Sequence, residues 1–260
     1  MIIVISPAKT LDFETPASTQ NYTHPDFLDD SAILIDQLKK MEPGQIGSLM
    51  SISPKLAILN SNRYFGWQRP FTMANAKQSV LAFKGDVYTG LDADTMTTAE
   101  LSFAQSHLRI LSGLYGVLRP LDLIQAYRLE MGTKLKNTRG NNLYEFWGDR
   151  ITHALNQDLK KQKTEILVNL ASNEYFHSIQ PDKLRARIIT PVFKDQKNGA
   201  YKIISFFAKK ARGMMSRYII HNKLTDSETI KHFDIAGYRF SEGDSNQDTW
   251  IFTRPESKSA

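Results

Sequence analysis

The run Ile2-Ile3-Val4-Ile5 sets four β-branched residues in succession with no polar residue among them. Branching at Cβ stiffens these side chains and suits them to a pleated sheet surface. An apolar run without polar alternation reads as a buried strand, so the rest of the chain must supply elements to cover it. The segment lacks a basic n-region and a small-residue cleavage site, so a strand is expected and not a signal peptide. Glu165-Ile-Leu-Val-Asn-Leu170 has no helical period either, and Ile166–Leu170 is the clearest internal strand. No run approaches the ~18 apolar residues that cross a bilayer.

Around these strands the pattern is mixed. Asp26–Met41 reads as a helix, with Leu28, Ala32, Ile35 and Leu38 on one face. Asn75–Leu81 reads as a short helix running into Phe83–Leu91, a glycine-bounded turn segment. Thr97-Thr-Ala-Glu100 is a capping box that opens a helix to about Ser112, and Gly113, Gly116 and Pro120 then enforce turns. Asn142 caps one long helix, Leu143 to about Lys160, with Phe146, Ile151, Ala154 and Leu155 inward. Ile188–Phe193 and Tyr201–Phe206 flank Lys197-Asn198-Gly199, a strong hairpin signal. Ala208–Asn222 reads as a basic helix, and Tyr238–Phe240 with Trp250–Phe252 as a closing hairpin. Early helices and late hairpins make the expected class α+β, a mixed β-sheet flanked by helices. No linker, repeat or low-complexity segment divides the 260 residues, so one domain over 1–260 is expected.

Residues 46–60 carry the most specific functional signal. They read as a helix ending near Leu49, a four-residue hairpin and a second helix opening at Pro54, where proline has no N–H to leave unpaired. Ile46, Leu49, Ile52, Leu56 and Ala57 face one another across the joint. This looks like a helix-hairpin-helix element, which grips a nucleic-acid backbone through free N–H groups at a helix start. Lys55 would add a charge. Ser51 and Ser53 stand where that pattern usually carries glycine, which approaches phosphate more closely. The same residues also suit an ordinary αα-hairpin with a short turn.

Charge points the same way. Residues 1–130 hold 11 Lys+Arg and 13 Asp+Glu, leaving 22 and 14 of the chain's 33 and 27 for residues 131–260. Lys183 to Lys223 contains eleven basic residues and one acidic residue, Asp195. Clustered Lys/Arg is the electrostatic footprint of polyanion binding, although such a run also serves as a solvated face. Within it Lys209, Lys210 and Arg217 read as exposed on the basic helix, with Arg212 on the same helix.

Catalytic and metal signals are sparse. Ser6-Pro7-Ala8-Lys9 spells S-x-x-K, but follows a strand and lacks the S-D-N and K-T-G partners of acyl-transfer enzymes. Lys9 suits a strand-end cation in a cleft better. The six histidines show no metal-binding spacing, and Glu174-Tyr-Phe-His177 is a single E-x-x-H where a carboxylate-bridged di-iron site needs two. Gly113-Leu-Tyr-Gly116 fits a GxxG backbone clamp as well as a turn. There is no Walker A loop and no G-x-G-x-x-G, so neither a cofactor nor a metal is expected. Zero cysteines exclude disulfides and thiol-based peroxide chemistry, and make the cytoplasm the expected compartment.

Several long blocks are specific to one family. Ile5-Ser-Pro-Ala-Lys-Thr-Leu-Asp12, Phe83-Lys-Gly-Asp-Val-Tyr-Thr-Gly-Leu91, Leu111–Asp122, Tyr127-Arg-Leu-Glu-Met-Gly132, Phe146-Trp-Gly-Asp149, Asn169-Leu-Ala-Ser172 and Phe207–Gly213 together resemble the bacterial YaaA family, over residues 2–254. The resemblance implies a cytoplasmic peroxide-stress protein associated with keeping free intracellular iron low. It also implies a single-domain α+β fold with a helix-hairpin-helix element and a basic cleft that binds double-stranded and distorted DNA. It establishes no enzymatic activity.

The expected partner is therefore DNA, held by its backbone with low sequence specificity by a monomer. The expected contacts are Lys9, Ser51, Ser53, Lys55, Lys84, Arg119, Arg128, Lys209, Lys210, Arg212 and Arg217, with Ser6, Asp86 and Tyr88 as a candidate ligand pocket. The alternative is an enzyme acting on a small molecule or nucleic acid through Lys9, Lys84, Asp86, Tyr88 and Arg128. One carboxylate is too few for a two-metal nuclease. A deep pocket pairing Asp86 with Lys9 or Lys84 favours the enzyme, and a shallow groove including Arg212 and Arg217 favours DNA.

Overall fold

A computed structural model describes residues 1–256. β1 (Ile2–Ile5) and β2 (Thr10–Leu11) precede three helices, α1 (Leu28–Leu38), α2 (Pro43–Met50) and α3 (Pro54–Gly66). Short elements follow: β3 (Lys77–Gln78), α4 (Ser79–Ala82), β4 (Phe83–Lys84) and α5 (Asp86–Leu91). Then come α6 (Thr98–His107), β5 (Leu108–Ser112), β6 (Gly116–Leu118) and β7 (Leu123–Ile124). The chain continues through α7 (Leu143–Trp147), α8 (Arg150–Lys161), β8 (Ile166–Leu170) and α9 (Asn173–Phe176). It finishes with β9 (Arg187–Lys197), β10 (Ala200–Lys202), α10 (Ser205–His221), β11 (Arg239–Phe240) and β12 (Thr249–Arg254).

The class is α+β with a mixed sheet, as expected. Its eight strands run β11-β12-β9-β8-β1-β5-β6, with β10 on β9. β12, β9, β8, β1 and β5 are mutually parallel, while β11, β10 and β6 pair antiparallel. β1, β5 and all but the first residue of β8 are buried at every position, so both faces of this central part are covered. From β1 the chain adds β5 on one side, then returns to add β8, β9 and β12 on the other. The order of growth therefore reverses at the β1/β8 boundary. One hydrophobic cluster contains the sheet and its covering helices. Among the described residues no helix is long and apolar enough to cross a membrane.

Several sequence expectations hold. Asn198 (φ 54°) and Gly199 (φ 78°) turn β9 into β10, and β11 pairs with β12. The Thr97–Glu100 capping box is present: Thr97 Oγ1 accepts from the Glu100 N–H at 3.2 Å, and Glu100 accepts from the Thr97 N–H at 2.7 Å. Others are corrected. The helix it opens stops at His107, because Leu108–Ser112 pairs parallel with β1. The helix expected over 143–160 breaks at Gly148 (φ 52°) into α7 and α8. Residues 75–81 form β3 and the start of α4 in place of a single helix, and the turn segment 83–91 is β4 followed by α5. Phe206 belongs to α10 and not to a strand.

Candidate functional site

β1 and β8 lie in register with Ile5 opposite Leu170, so the residues just past both strand ends meet. The Ser172 N–H donates to Ser6 Oγ at 2.9 Å, and the Ser6 hydroxyl donates to Ser172 Oγ at 3.3 Å. The Tyr88 hydroxyl donates to the Ser6 carbonyl at 3.2 Å. Burial, reinforced by the Tyr127 and Tyr175 phenols, pushes Tyr88 well above the usual phenol range. It stays protonated and pins the turn leaving β1.

This junction opens onto a cavity of about 500 Å³. A second wall comes from α5 and α10, which cross at backbone contact. A Cβ at Gly90 would collide with the Lys210 carbonyl, and one at Gly213 with the Val87 carbonyl, so only glycine permits the crossing. Lys209 and Arg212, one turn apart on α10, both line the cavity. Gly85 takes φ 147°, which side chains rarely adopt, and so lets Lys84 and Asp86 on either side of it line the cavity as well.

Most charges here are already paired. Lys9 Nζ lies 3.0 Å from Glu130, whose other oxygen meets Arg128 at 3.0 Å. Lys84 lies 2.6 Å from Asp94 and 3.9 Å from Asp12. The Thr15 backbone N–H and hydroxyl hold Asp12 at about 2, with Lys77 adding to the effect. Glu174 accepts from the Gly132 N–H at 3.0 Å. Among the described residues the side chains of Asp86, Lys209 and Arg212 have no hydrogen-bond or ion-pair partner. Burial alone lowers the Arg212 guanidinium from its ordinary value, with no carboxylate to restore it.

The cavity thus gathers Ser6, Lys9, Lys84, Asp86, Tyr88, Lys209 and Arg212, with Arg128 one ion pair away. Asp86 pairs with neither lysine. Lys210 is exposed outside the lining. Arg217 donates to the Asp92 carbonyl at 2.8 Å and lies 3.5 Å from Glu100. Arg119 is bound to Asp122 at 2.9 Å and Asp26 at 3.1 Å. The basic stretch is also divided: Arg187, at the opposite end of the sheet, pairs with Asp248 at 2.8 Å.

α2 and α3 form two helices joined by a tight turn, and neither contributes a residue to the cavity lining. Ser51 closes α2 in the left-handed region (φ 51°) that glycine would favour. Ser53 caps α3, its Oγ accepting from the Leu56 N–H at 3.4 Å, and Lys55 is exposed. Ile46 and Ala57 are buried across the joint, whereas Leu56 is exposed. The GxxG segment is no clamp. Gly113 packs on the Leu129 carbonyl and Gly116 on the Trp147 ring, both buried. Among the described residues no group of three or more His, Asp or Glu is placed to hold a metal ion.

Sequence reasoning did not nominate Glu130, Ser172, Glu174 or Tyr175, which also line the cavity. Glu130 and Ser172 lie inside the Tyr127–Gly132 and Asn169–Ser172 blocks, while Glu174 and Tyr175 stood in the E-x-x-H run set aside as a metal motif.

Known proteins of similar sequence cover the chain almost end to end. A UPF0246 protein of Cellvibrio japonicus is 59% identical over 256 residues, spanning 98% of this chain and 99% of its own. One from Shewanella loihica is likewise 59% identical over 256 residues, with the same coverage. One from Colwellia psychrerythraea is 58% identical over 257 residues, spanning 99% of this chain and all of its own. A family model described as peroxide stress protein YaaA matches residues 1–244. With that match added to the sequence blocks and the site they build, the chain belongs to the peroxide stress protein YaaA family.

Proposed function

We propose that the protein acts in peroxide-stress protection by binding DNA along its phosphate backbone, at the face formed by the cavity mouth and α10. The observation that supports it is the pair Lys209 and Arg212, which among the described residues have no carboxylate partner and lie next to exposed Lys210. Unpaired cations on one helix attract phosphates and release counterions on contact. Such a grip reads shape and charge and not base edges, so sequence preference is weak. The protein works as a monomer in the cytoplasm, and lowers free iron indirectly and not through an iron site of its own.

Duplex affinity measured between 50 and 200 mM salt tests this, with a steep linear fall of log K against log salt expected. Lys209→Glu with Lys210→Glu removes two phosphate contacts and should reduce that slope by about 2. Both side chains are exposed, so the fold should persist. Unchanged affinity in the folded double variant, or affinity indifferent to salt, rejects the proposal.

A second reading, a ligand or catalytic site, is favoured by one feature. The basic residues line a recess with Tyr88 and Tyr175 in its wall and a carboxylate, Asp86, that has no partner among the described residues.

A further inference from the structure

We propose that the cavity at the ends of β1 and β8 holds the phosphate monoester of a single nucleotide, with Arg212 and Lys209 clamping the phosphate. This goes beyond duplex binding and does not depend on it.

A guanidinium taken partly out of water is unfavourable unless an anion meets it. Elsewhere in the molecule the buried Arg109 follows that rule, paired with Asp158 at 2.6 Å. Arg212 does not, and the space beside it is the cavity. Lys209 stands on the same wall, one turn earlier. Across from them Lys9 and Lys84 are already met by Glu130 and Asp94. Of the cations that line the cavity, Lys209 and Arg212 are the two with no partner among the described residues, and both stand on the α10 wall, where they suit one compact anion inside the cavity. Arginine meets phosphate with two parallel N–H donors, a geometry lysine reinforces as a point charge.

The remainder of the cavity suits the body of a nucleotide. The Ser6 and Ser172 hydroxyls stand at the reversal between β1 and β8, where open parallel sheets receive ligands. Asp86 offers a free acceptor for sugar hydroxyls or a base amino group, and Leu170, Val87 and Tyr175 supply apolar wall. A volume of about 500 Å³ accepts one nucleotide and excludes a duplex. The shared chemistry has two sources, a free nucleoside monophosphate or the phosphorylated end of a strand.

Calorimetry on the full chain tests the proposal with adenosine and deoxyadenosine 5′-monophosphate, the matching nucleosides, and a short single strand with and without a 5′-phosphate. The monophosphates should bind at least about tenfold more tightly than the nucleosides, since a charge-assisted clamp is lost without phosphate. Arg212→Gln should weaken monophosphate binding at least about tenfold, whereas Lys161→Glu, exposed at the C-terminal end of α8 and outside the lining, should leave it unchanged. If the 5′-phosphorylated strand outcompetes both its unphosphorylated twin and the free monophosphate, the ligand is a strand end. If the 5′-phosphate adds nothing to strand binding, it is the free nucleotide. Should Arg212→Gln fail to fold, exposed Lys209→Gln takes its place and should lower monophosphate affinity several-fold. Absence of monophosphate binding at millimolar concentration overturns the proposal, as does unchanged binding in the folded variant. Either result leaves duplex binding, measured in parallel, to stand or fall separately.

Discussion

Glu100 shows what one residue does beyond its own turn. It accepts the Thr97 N–H at 2.7 Å, the Thr97 hydroxyl at 2.8 Å, and lies 2.8 Å from His221 Nδ1 on α10. The Thr97 backbone bond first, then His221, hold its carboxyl at about 2 against an ordinary 4.5. On acidification the unfolded chain takes up the proton first, near 4.5. Stability should therefore be complete above that pH and decline as pH falls toward about 2. Urea unfolding across this window should give a shallower pH dependence for Glu100→Gln than for the parent, with Asp12, also held at about 2, supplying residual slope. Equal slopes would contradict the assignment. The capping box was legible because Thr97 and Glu100 are three residues apart. The His221 contact was not, since no local pattern joins positions 100 and 221. The same limit hid the site: Ser6, Asp86 and Arg212 carry chemistry at sight, but their meeting depends on how distant elements pair.

At the scale of elements, legibility followed length and punctuation. β8 and the β9–β10 turn were plain, one an apolar run and the other an Asn-Gly pair at positive φ. β5 was hidden because Leu108-Arg-Ile-Leu-Ser follows α6 with no breaker between them. α5 was hidden because Asp-Val-Tyr-Thr-Gly-Leu is a short helix that contains a glycine. That glycine has a tertiary purpose, as does Gly213 opposite it. Gly213→Ala sets a methyl group against the Val87 carbonyl, a backbone atom that cannot swing aside. Overpacking of this kind costs about 1–3 kcal/mol. The thermal midpoint should fall by several degrees. Gly44→Ala in α2 is the control, with open space around its Cβ, and should leave the midpoint level or raise it slightly. Equal midpoints for the two variants would mean that α5 and α10 can separate at little cost.

For the whole molecule, one ion pair ties a covering helix to the sheet. Arg109 on β5 is buried and meets Asp158 on α8 through two bonds of 2.6 Å, Nε and Nη2 each donating to one oxygen. Asp158→Ala strands the guanidinium in the interior and should cost about 3–5 kcal/mol, the loss seen when a buried pair is broken from one side. Equilibrium denaturation measures it, and a loss below about 1 kcal/mol would show that water reaches Arg109. Class and single-core organisation could be read from the chain because apolar runs and helical periods are local. Strand order could not, because Ile3 finds its partners at Leu108 and Val168.

That pairing governs assembly. β1 is synthesised before either neighbour, and its backbone donors and acceptors stay open on one side until β8 has been made. Closing such long loops precedes any reward from pairing, which slows folding. A nascent chain that has not reached Ile166 presents its most apolar strand with a bare edge, the form in which chains stick to one another. The cavity, floored by those same two strand ends, comes into being only when that edge is closed.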